Sequence, residues 1–115
     1  MAGTLVLSQD LCWMPAGWIY DAALEHLAVL LNEQDEKLSE LFRNSLMEVN
    51  GGFLSLEEAP IADLKLIENA LGTMIEMVKT AGPDAMFYPK FFDGYVNHLE
   101  ELGRLLAQRL KADQV

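Results

Sequence analysis

The sequence has only one cysteine, Cys12, among its 115 residues. A lone cysteine cannot form an intramolecular disulfide, and proteins without disulfides are typical of reducing compartments. A chain of this length buries roughly two-thirds of the surface that its unfolded form exposes, so one core suffices without a metal or a disulfide. These observations predict a single domain over residues 1–115 and a cytoplasmic setting.

Long apolar runs are also missing. The longest one, Leu27 to Leu31, is far shorter than the roughly 20 residues that a membrane-spanning helix needs. The amino-terminal stretch MAGTLVLSQD has no basic residue before its short apolar run, so we expect no signal peptide. The sequence therefore predicts a soluble protein with no membrane partner.

Basic residues are scarce: 8 Lys and Arg stand against 18 Asp and Glu, which gives a net charge of −10. The imbalance is concentrated between Asp21 and Glu76, where twelve acidic residues face three basic ones. Nucleic acids and anionic membranes carry the same sign of charge, so neither is an expected partner. The natural counterpart is a basic protein. The alternative is an acidic surface that only maintains solubility.

The sequence contains no motif specific for catalysis, such as a P-loop, a nucleophile elbow or a dinucleotide fingerprint. His26 and His98 are the two histidines. The Glu-x-x-His repeat of di-iron bundles is absent, because Ala23 and Tyr95 occupy the positions three residues before them. We therefore predict no metal, no cofactor and no enzymatic activity. A small metal-dependent or acid/base enzyme is the least favoured alternative.

Apolar residues recur at helical spacing between three breaks, MPAGW, NGGF and AGPD. Four helical segments are predicted: about Gly17–Gln34, Asp35–Val49, one that begins with SLEE at Ser55 and runs to about Ala81, and one that starts near Pro89. Asp35 fits an N-cap, and Gly51 and Gly52 fit a helix stop. The first two segments form either one bent helix or a helical hairpin.

The start of the third helix carries a capping-box spacing in the stretch SLEE, formed by Ser55 and Glu58. Pro60 suits a first helical turn. The third helix is apolar on two faces, which is typical of a central helix that contacts more than one neighbour.

The first 16 residues fit a helix poorly. TLVL is predicted either as a short strand, paired with GFLSL after the double glycine, or as part of an extended arm across the bundle. The predicted fold class is therefore mainly α: a compact bundle of four to five helices, with at most a minor strand pair near the amino terminus.

The stretch MFYPKFFDGY holds half of the aromatic residues of the chain. At 100° per residue, Tyr88, Phe92 and Tyr95 continue the leucine stripe of the last helix. These aromatic side chains are therefore predicted to lie in the core, with Phe91 just beyond the edge of the stripe. Phe87 is the exception, because it precedes the predicted helix.

Acidic residues group in two places that could steer a cationic partner and pair with its Arg or Lys side chains. The candidates are Glu33, Asp35, Glu36 and Glu40 in the stretch NEQDEKLSE, joined by Glu57 and Glu58. The alternative for the first group is a solvated turn, since carboxylates also stabilise the start of a helix.

Two tryptophans flank the Pro/Gly break in CWMPAGWIY. Loops stay near the surface, and tryptophan is common among the anchors of protein interfaces. Trp13 and Trp18 are therefore candidate contact residues for a partner. The alternative is that both side chains close one end of the bundle.

These patterns predict a small acidic module that binds and neutralises, or chaperones, a basic protein. An immunity protein that blocks a toxic nuclease is an analogy in size, charge and helical content. The alternative is a self-associating structural module, a homodimer that buries the two-faced third helix and the aromatic residues between identical subunits.

Overall fold

The computed structural model describes residues 2–86 and 88–113 and combines helices with a small sheet. The elements are β1 (Thr4–Ser8), β2 (Leu11–Trp13), α1 (Gly17–Leu31), α2 (Glu36–Arg43), α3 (Met47–Asn50), β3 (Phe53–Ser55), α4 (Ile61–Ala81) and α5 (Phe92–Asp113). Single 3₁₀ turns lie at Pro83–Ala85 and Pro89–Phe91. The mainly α fold class is confirmed, with five α-helices in the described part of the chain.

Residues 17–49 form three helices. The predicted N-cap is confirmed, since the side chain of Asp35 accepts a hydrogen bond from the Leu38 amide at 3.1 Å. The second predicted helix is interrupted after α2, where the Ser45 hydroxyl donates to the Leu41 carbonyl at 2.7 Å. Such bonds from a side chain to the backbone compete with helix continuation. Gly51, with φ at 64°, then ends α3 as predicted.

The sheet has the strand order β2-β1-β3. β1 pairs with β3 in parallel, with Leu5 opposite Leu54, which confirms the predicted partner of TLVL. β1 also pairs antiparallel with β2, in which Trp13 lies opposite Leu5. The sequence did not predict β2, because three residues before a proline break are too few to show a strand period. Leu5 and Leu7 point into the core while their neighbours are partly exposed, as expected for alternating strand positions.

The predicted capping box is wrong. Ser55 belongs to β3, where it pairs with Val6, and its hydroxyl accepts a weak 3.5 Å hydrogen bond from the Glu57 amide. α4 begins only at Ile61, with Pro60 at the N-cap position. Ser55 therefore pairs with β1 in the sheet and does not cap the helix, contrary to the sequence pattern.

The core lies between α1, α4 and α5, and α5 also contacts β1 and β2 of the sheet. α4 contacts both α1 and α5, as its two apolar faces predict. Side chains that are completely or almost completely buried come from every layer: Leu5, Leu7, Trp13, Tyr20, Leu27, Phe42, Leu64, Met74, Leu99 and Leu106. No helix within the described residues is long and apolar enough to cross a membrane.

The prediction that the aromatic stretch before α5 is core is correct only in part. Tyr95 is buried, whereas Tyr88 is 57% exposed and Phe91 42% exposed. α5 starts at Phe92, and the preceding residues form a tighter 3₁₀ turn, so a projection at 100° per residue does not apply to them. Phe87 lies outside the described residues.

Candidate functional site

The structure places the predicted acidic residues on two neighbouring segments. Glu33 follows α1, Asp35 caps α2, and Glu36 and Glu40 are exposed on α2. Glu57 and Glu58 are exposed in the segment between β3 and α4. Both segments border the same surface depression, although the sequence separates them by about 20 residues.

This depression, the acidic groove, has a volume of about 540 Å³. Its lining residues are Leu38, Leu41, Ser55, Leu56, Glu57, Glu58, Ala59, Pro60 and Asp63. Leucines therefore lie together with three carboxylates. Asp63 was missed from the sequence, where it reads only as a favourable charge in the first turn of α4.

Four of the predicted acidic residues do not line the acidic groove: Glu33, Asp35, Glu36 and Glu40. α2 instead turns Leu38 and Leu41 toward it, because helix residues three apart share a face. These four carboxylates lie on α2 or just before it. They add to the negative potential around the acidic groove without lining it.

The carboxylates of the acidic groove form no ion pair with any described residue. In residues 2–86 and 88–113, neither Glu57, Glu58 nor Asp63 forms an ion pair, whereas Lys79 and Glu100 do so at 3.5 Å. Arg109 approaches the groove segment, but its guanidinium donates to the backbone carbonyl groups of Leu7 and Glu57, both at 2.8 Å. These bonds fix the segment that carries the carboxylates without neutralising them directly.

A second depression lies along α1. Its first lobe has a volume of about 650 Å³ and is lined by Trp18, Ala22, Met86, Tyr88, Phe91 and Tyr95. The ring centroid of Trp18 lies 5.8 Å from those of both Phe91 and Tyr95. Trp18 is 46% exposed, so this aromatic cluster is at the surface rather than in the core.

A second lobe of about 510 Å³ continues from the first, since Ala22, Met86 and Tyr95 line both. Its other lining residues are Glu25, His26, Val29, Val78, Ala81, Gly82 and Ala85. We call the two lobes together the aromatic groove. One wall is a single face of α1, and the other is the end of α4, the turn after it and the start of α5.

Two polar side chains of the aromatic groove show the effect of burial. Burial raises the pKa of Tyr95 to about 12 and lowers the pKa of His26 below its ordinary value, because apolar surroundings disfavour the charged form of each group. Tyr95 is only 7% exposed, and its hydroxyl has no hydrogen-bond partner in the described part of the chain. The groove therefore presents the Tyr95 hydroxyl, which is not buried without a partner, together with the polar side chains of Glu25 and His26 in the second lobe.

Trp13 is not a surface anchor. It is completely buried, and its indole N–H donates to the His98 carbonyl at 2.9 Å. Its ring also stacks with Tyr20, with centroids 6.5 Å apart. Of the two tryptophan candidates, only Trp18 offers a surface to a partner.

Among the described residues, no three His, Cys, Asp or Glu side chains come together in an arrangement that could hold a metal ion. Cys12 is exposed, in β2. Comparisons of the chain with protein-family models, curated proteins and solved structures found no match.

Proposed function

We propose that this protein is a binding module that recognises a basic protein through the acidic groove and neutralises or shields it. The observation that carries the proposal is one depression that combines leucine side chains with carboxylates that form no ion pair among the residues that the structure describes. Cys12, exposed as a free thiol, agrees with a reducing compartment, the cytoplasm, as the place of action.

The charges supply long-range attraction. A net charge of −10, with the acidic excess concentrated between Asp21 and Glu76, raises the rate at which a cationic protein meets this surface. The expected signature is an association rate that falls as the salt concentration rises, because ions screen exposed charges beyond about 10 Å at 0.1 M ionic strength.

The leucines supply short-range affinity. Leu41 is 42% exposed at the edge of the groove, while Leu38 and Leu56 are nearly buried at its base. An apolar side chain of the partner that enters the groove removes this surface from water. Arg side chains suit the rim, since a guanidinium can bind a carboxylate with two parallel hydrogen bonds.

The test is capture of partners from the native cell lysate by the tagged protein, at low and at raised salt, with mass spectrometry of the retained proteins. We expect a basic protein in stoichiometric amount that is released at raised salt. The double variant Glu57→Lys/Glu58→Lys should slow its association at low salt by about tenfold or more.

The matched control is Glu76→Lys/Glu101→Lys, which changes the net charge by the same amount at exposed positions outside both grooves. A second variant, Glu33→Lys/Glu36→Lys, tests the acidic residues that lie outside the groove. Equal effects of all three variants would assign the attraction to net charge alone. Absence of any basic partner at low salt would contradict the proposal.

A further inference from the structure

The aromatic groove has the length of a short helix. Its α1 wall extends from Trp18 to Val29, which corresponds to about 16 Å along a helix axis at 1.5 Å per residue. Three turns of a partner helix cover the same distance. Grooves of this kind commonly bind amphipathic helices through apolar side chains spaced three, four and seven residues apart.

The lining of the groove offers two apolar subsites with a polar atom between them. The first lobe is walled by aromatic rings, and the second by aliphatic side chains together with His26. Tyr95 lines both lobes, and its hydroxyl, which is accessible from the groove, can donate a hydrogen bond to a carbonyl of a ligand. The exposed rings of Trp18 and Phe91 are the side chains most suited to an anchoring contact.

The charge of the groove favours a cationic occupant over a second copy of this chain. Glu25 is the charged residue among its lining residues that is exposed, and it forms no ion pair in the described part of the chain. A second copy carries a net charge of −10, so it would be repelled by the negative charge of the first copy. Lys90 lies 5.2 Å from the ring centroid of Phe91, so this aromatic face already has a cation and the basic side chain of an occupant is expected beside Glu25 instead.

We propose that the aromatic groove binds a cationic amphipathic helix of a partner protein, with apolar side chains in the two lobes and a basic side chain beside Glu25. The positive charge of this partner agrees with the proposed function, but the aromatic groove and the acidic groove share no lining residue. The two proposals can therefore fail independently.

The test is titration of the full-length protein with a synthetic 14-residue peptide of leucine and lysine, in which the leucines occupy one helical face. Trp18 reports binding, and we expect its fluorescence to shift to shorter wavelength as the peptide excludes water. A Trp18→Phe variant identifies the signal, since Trp13 is completely buried. We expect the peptide to bind at least about tenfold more tightly than a scrambled peptide of the same composition.

Ala22→Arg places a long cationic side chain where the two lobes meet and should weaken peptide binding by about tenfold or more. Ala107→Arg is the matched control, because it makes the same change at an exposed position of α5. Val29→Arg provides a second test at a side chain that is 62% exposed, where a failure to fold is not expected. Circular dichroism and thermal unfolding check the fold of each variant.

Several outcomes would overturn the proposal. Equal affinity for the amphipathic and the scrambled peptide would show that the groove does not recognise a helical pattern. Equal affinity for a leucine-glutamate peptide of the same pattern would show that it does not select a cationic partner. Loss of peptide binding in Glu57→Lys/Glu58→Lys, but not in Ala22→Arg, would move the site to the acidic groove. A dimer of the free protein in light scattering that Ala22→Arg and Val29→Arg abolish would assign the groove to a second copy.

Discussion

Trp13 and Trp18 lie five positions apart in the chain, yet the regions around them have opposite properties. Trp13 is completely buried at the end of β2, with its indole N–H bonded to a backbone carbonyl of α5. Trp18 is 46% exposed in the first turn of α1 and packs on the exposed ring of Phe91 and the buried ring of Tyr95. The first tryptophan joins the sheet to the helices, and the second forms part of a surface groove.

The position in the secondary structure, and not the residue type, decides which tryptophan is buried. Trp13 lies opposite Leu5 in the antiparallel pair, so it points to the same face of the sheet as that core leucine. Trp18 stands next to the buried Ile19 and Tyr20, which α1 turns to the core while Trp18 faces the groove. Reading residues 12–20 as one aromatic stretch therefore hides a boundary between core and surface.

The largest expected effect is on the free energy of unfolding when each tryptophan is truncated. Trp13→Ala should lower it by about 3–5 kcal/mol, because a completely buried side chain and a hydrogen bond are lost. Trp18→Ala should lower it by about 1.5 kcal/mol or less, the scale of aromatic contacts at a partly exposed site. Chemical denaturation measures both. Equal losses would show that the aromatic groove belongs to the core.

The two buried tyrosines provide a second comparison between the core and the aromatic groove, with a smaller expected effect on the free energy of unfolding. The Tyr20 hydroxyl donates to the Ser45 carbonyl at 2.9 Å, whereas the Tyr95 hydroxyl has no partner within the described residues. Tyr20→Phe should therefore cost about 0.5–1.5 kcal/mol, and Tyr95→Phe should leave the free energy of unfolding nearly unchanged. Denaturation of the two variants side by side tests this, and a loss in Tyr95→Phe that matches the loss in Tyr20→Phe would contradict it.

The smallest expected effect is a pH dependence of stability that arises in the second lobe of the aromatic groove. Burial holds the folded-state pKa of His26 below the unfolded value, so the unfolded chain takes up this proton more readily. Above the ordinary imidazole pKa of about 6.5, titration of His26 has no effect on the free energy of unfolding. As the pH drops below that value, protonation of the unfolded chain lowers the free energy of unfolding. Glu25 and Tyr95 are the other titratable groups that line this lobe.

The measurement is the unfolding free energy between pH 8 and pH 5 for the natural sequence and for His26→Gln. We expect the variant to lose less stability over this range than the natural sequence. A steeper loss of stability in the variant would contradict the destabilising effect of His26 at low pH.

Local features of the fold were predictable from the sequence because short stretches determine them. The Asp35 cap and the Gly51 stop depend on a few neighbouring residues. The pairing of TLVL with GFLSL is a long-range contact, and the sequence offered it only as one of two alternatives. The break after α2 was not predictable, because it depends on Ser45, whose carbonyl also accepts a hydrogen bond from the distant Tyr20.

The two grooves were only partly predictable for the same reason. Sequence reasoning identified Glu57, Glu58 and Trp18, but Asp63 and Tyr95 join them only through the packing of α4 and α5. The exposure of Phe91 was missed because the helix starts one residue after it. Periodicity finds the face of a helix once its start is known, and a 3₁₀ turn conceals that start.

The parallel pairing of β1 with β3 has a consequence for the order of folding. The two strands are separated by about 50 residues, and α1, α2 and α3 all lie between them. During synthesis β1 leaves the ribosome first, but it can pair only with β2 until the three helices and β3 have followed. The entropy of closing this loop must be lost before the contacts between β1 and β3 can offset it, whereas each helix forms contacts only a few residues apart. We therefore expect the helices to form early and the pairing of β1 with β3 to form late.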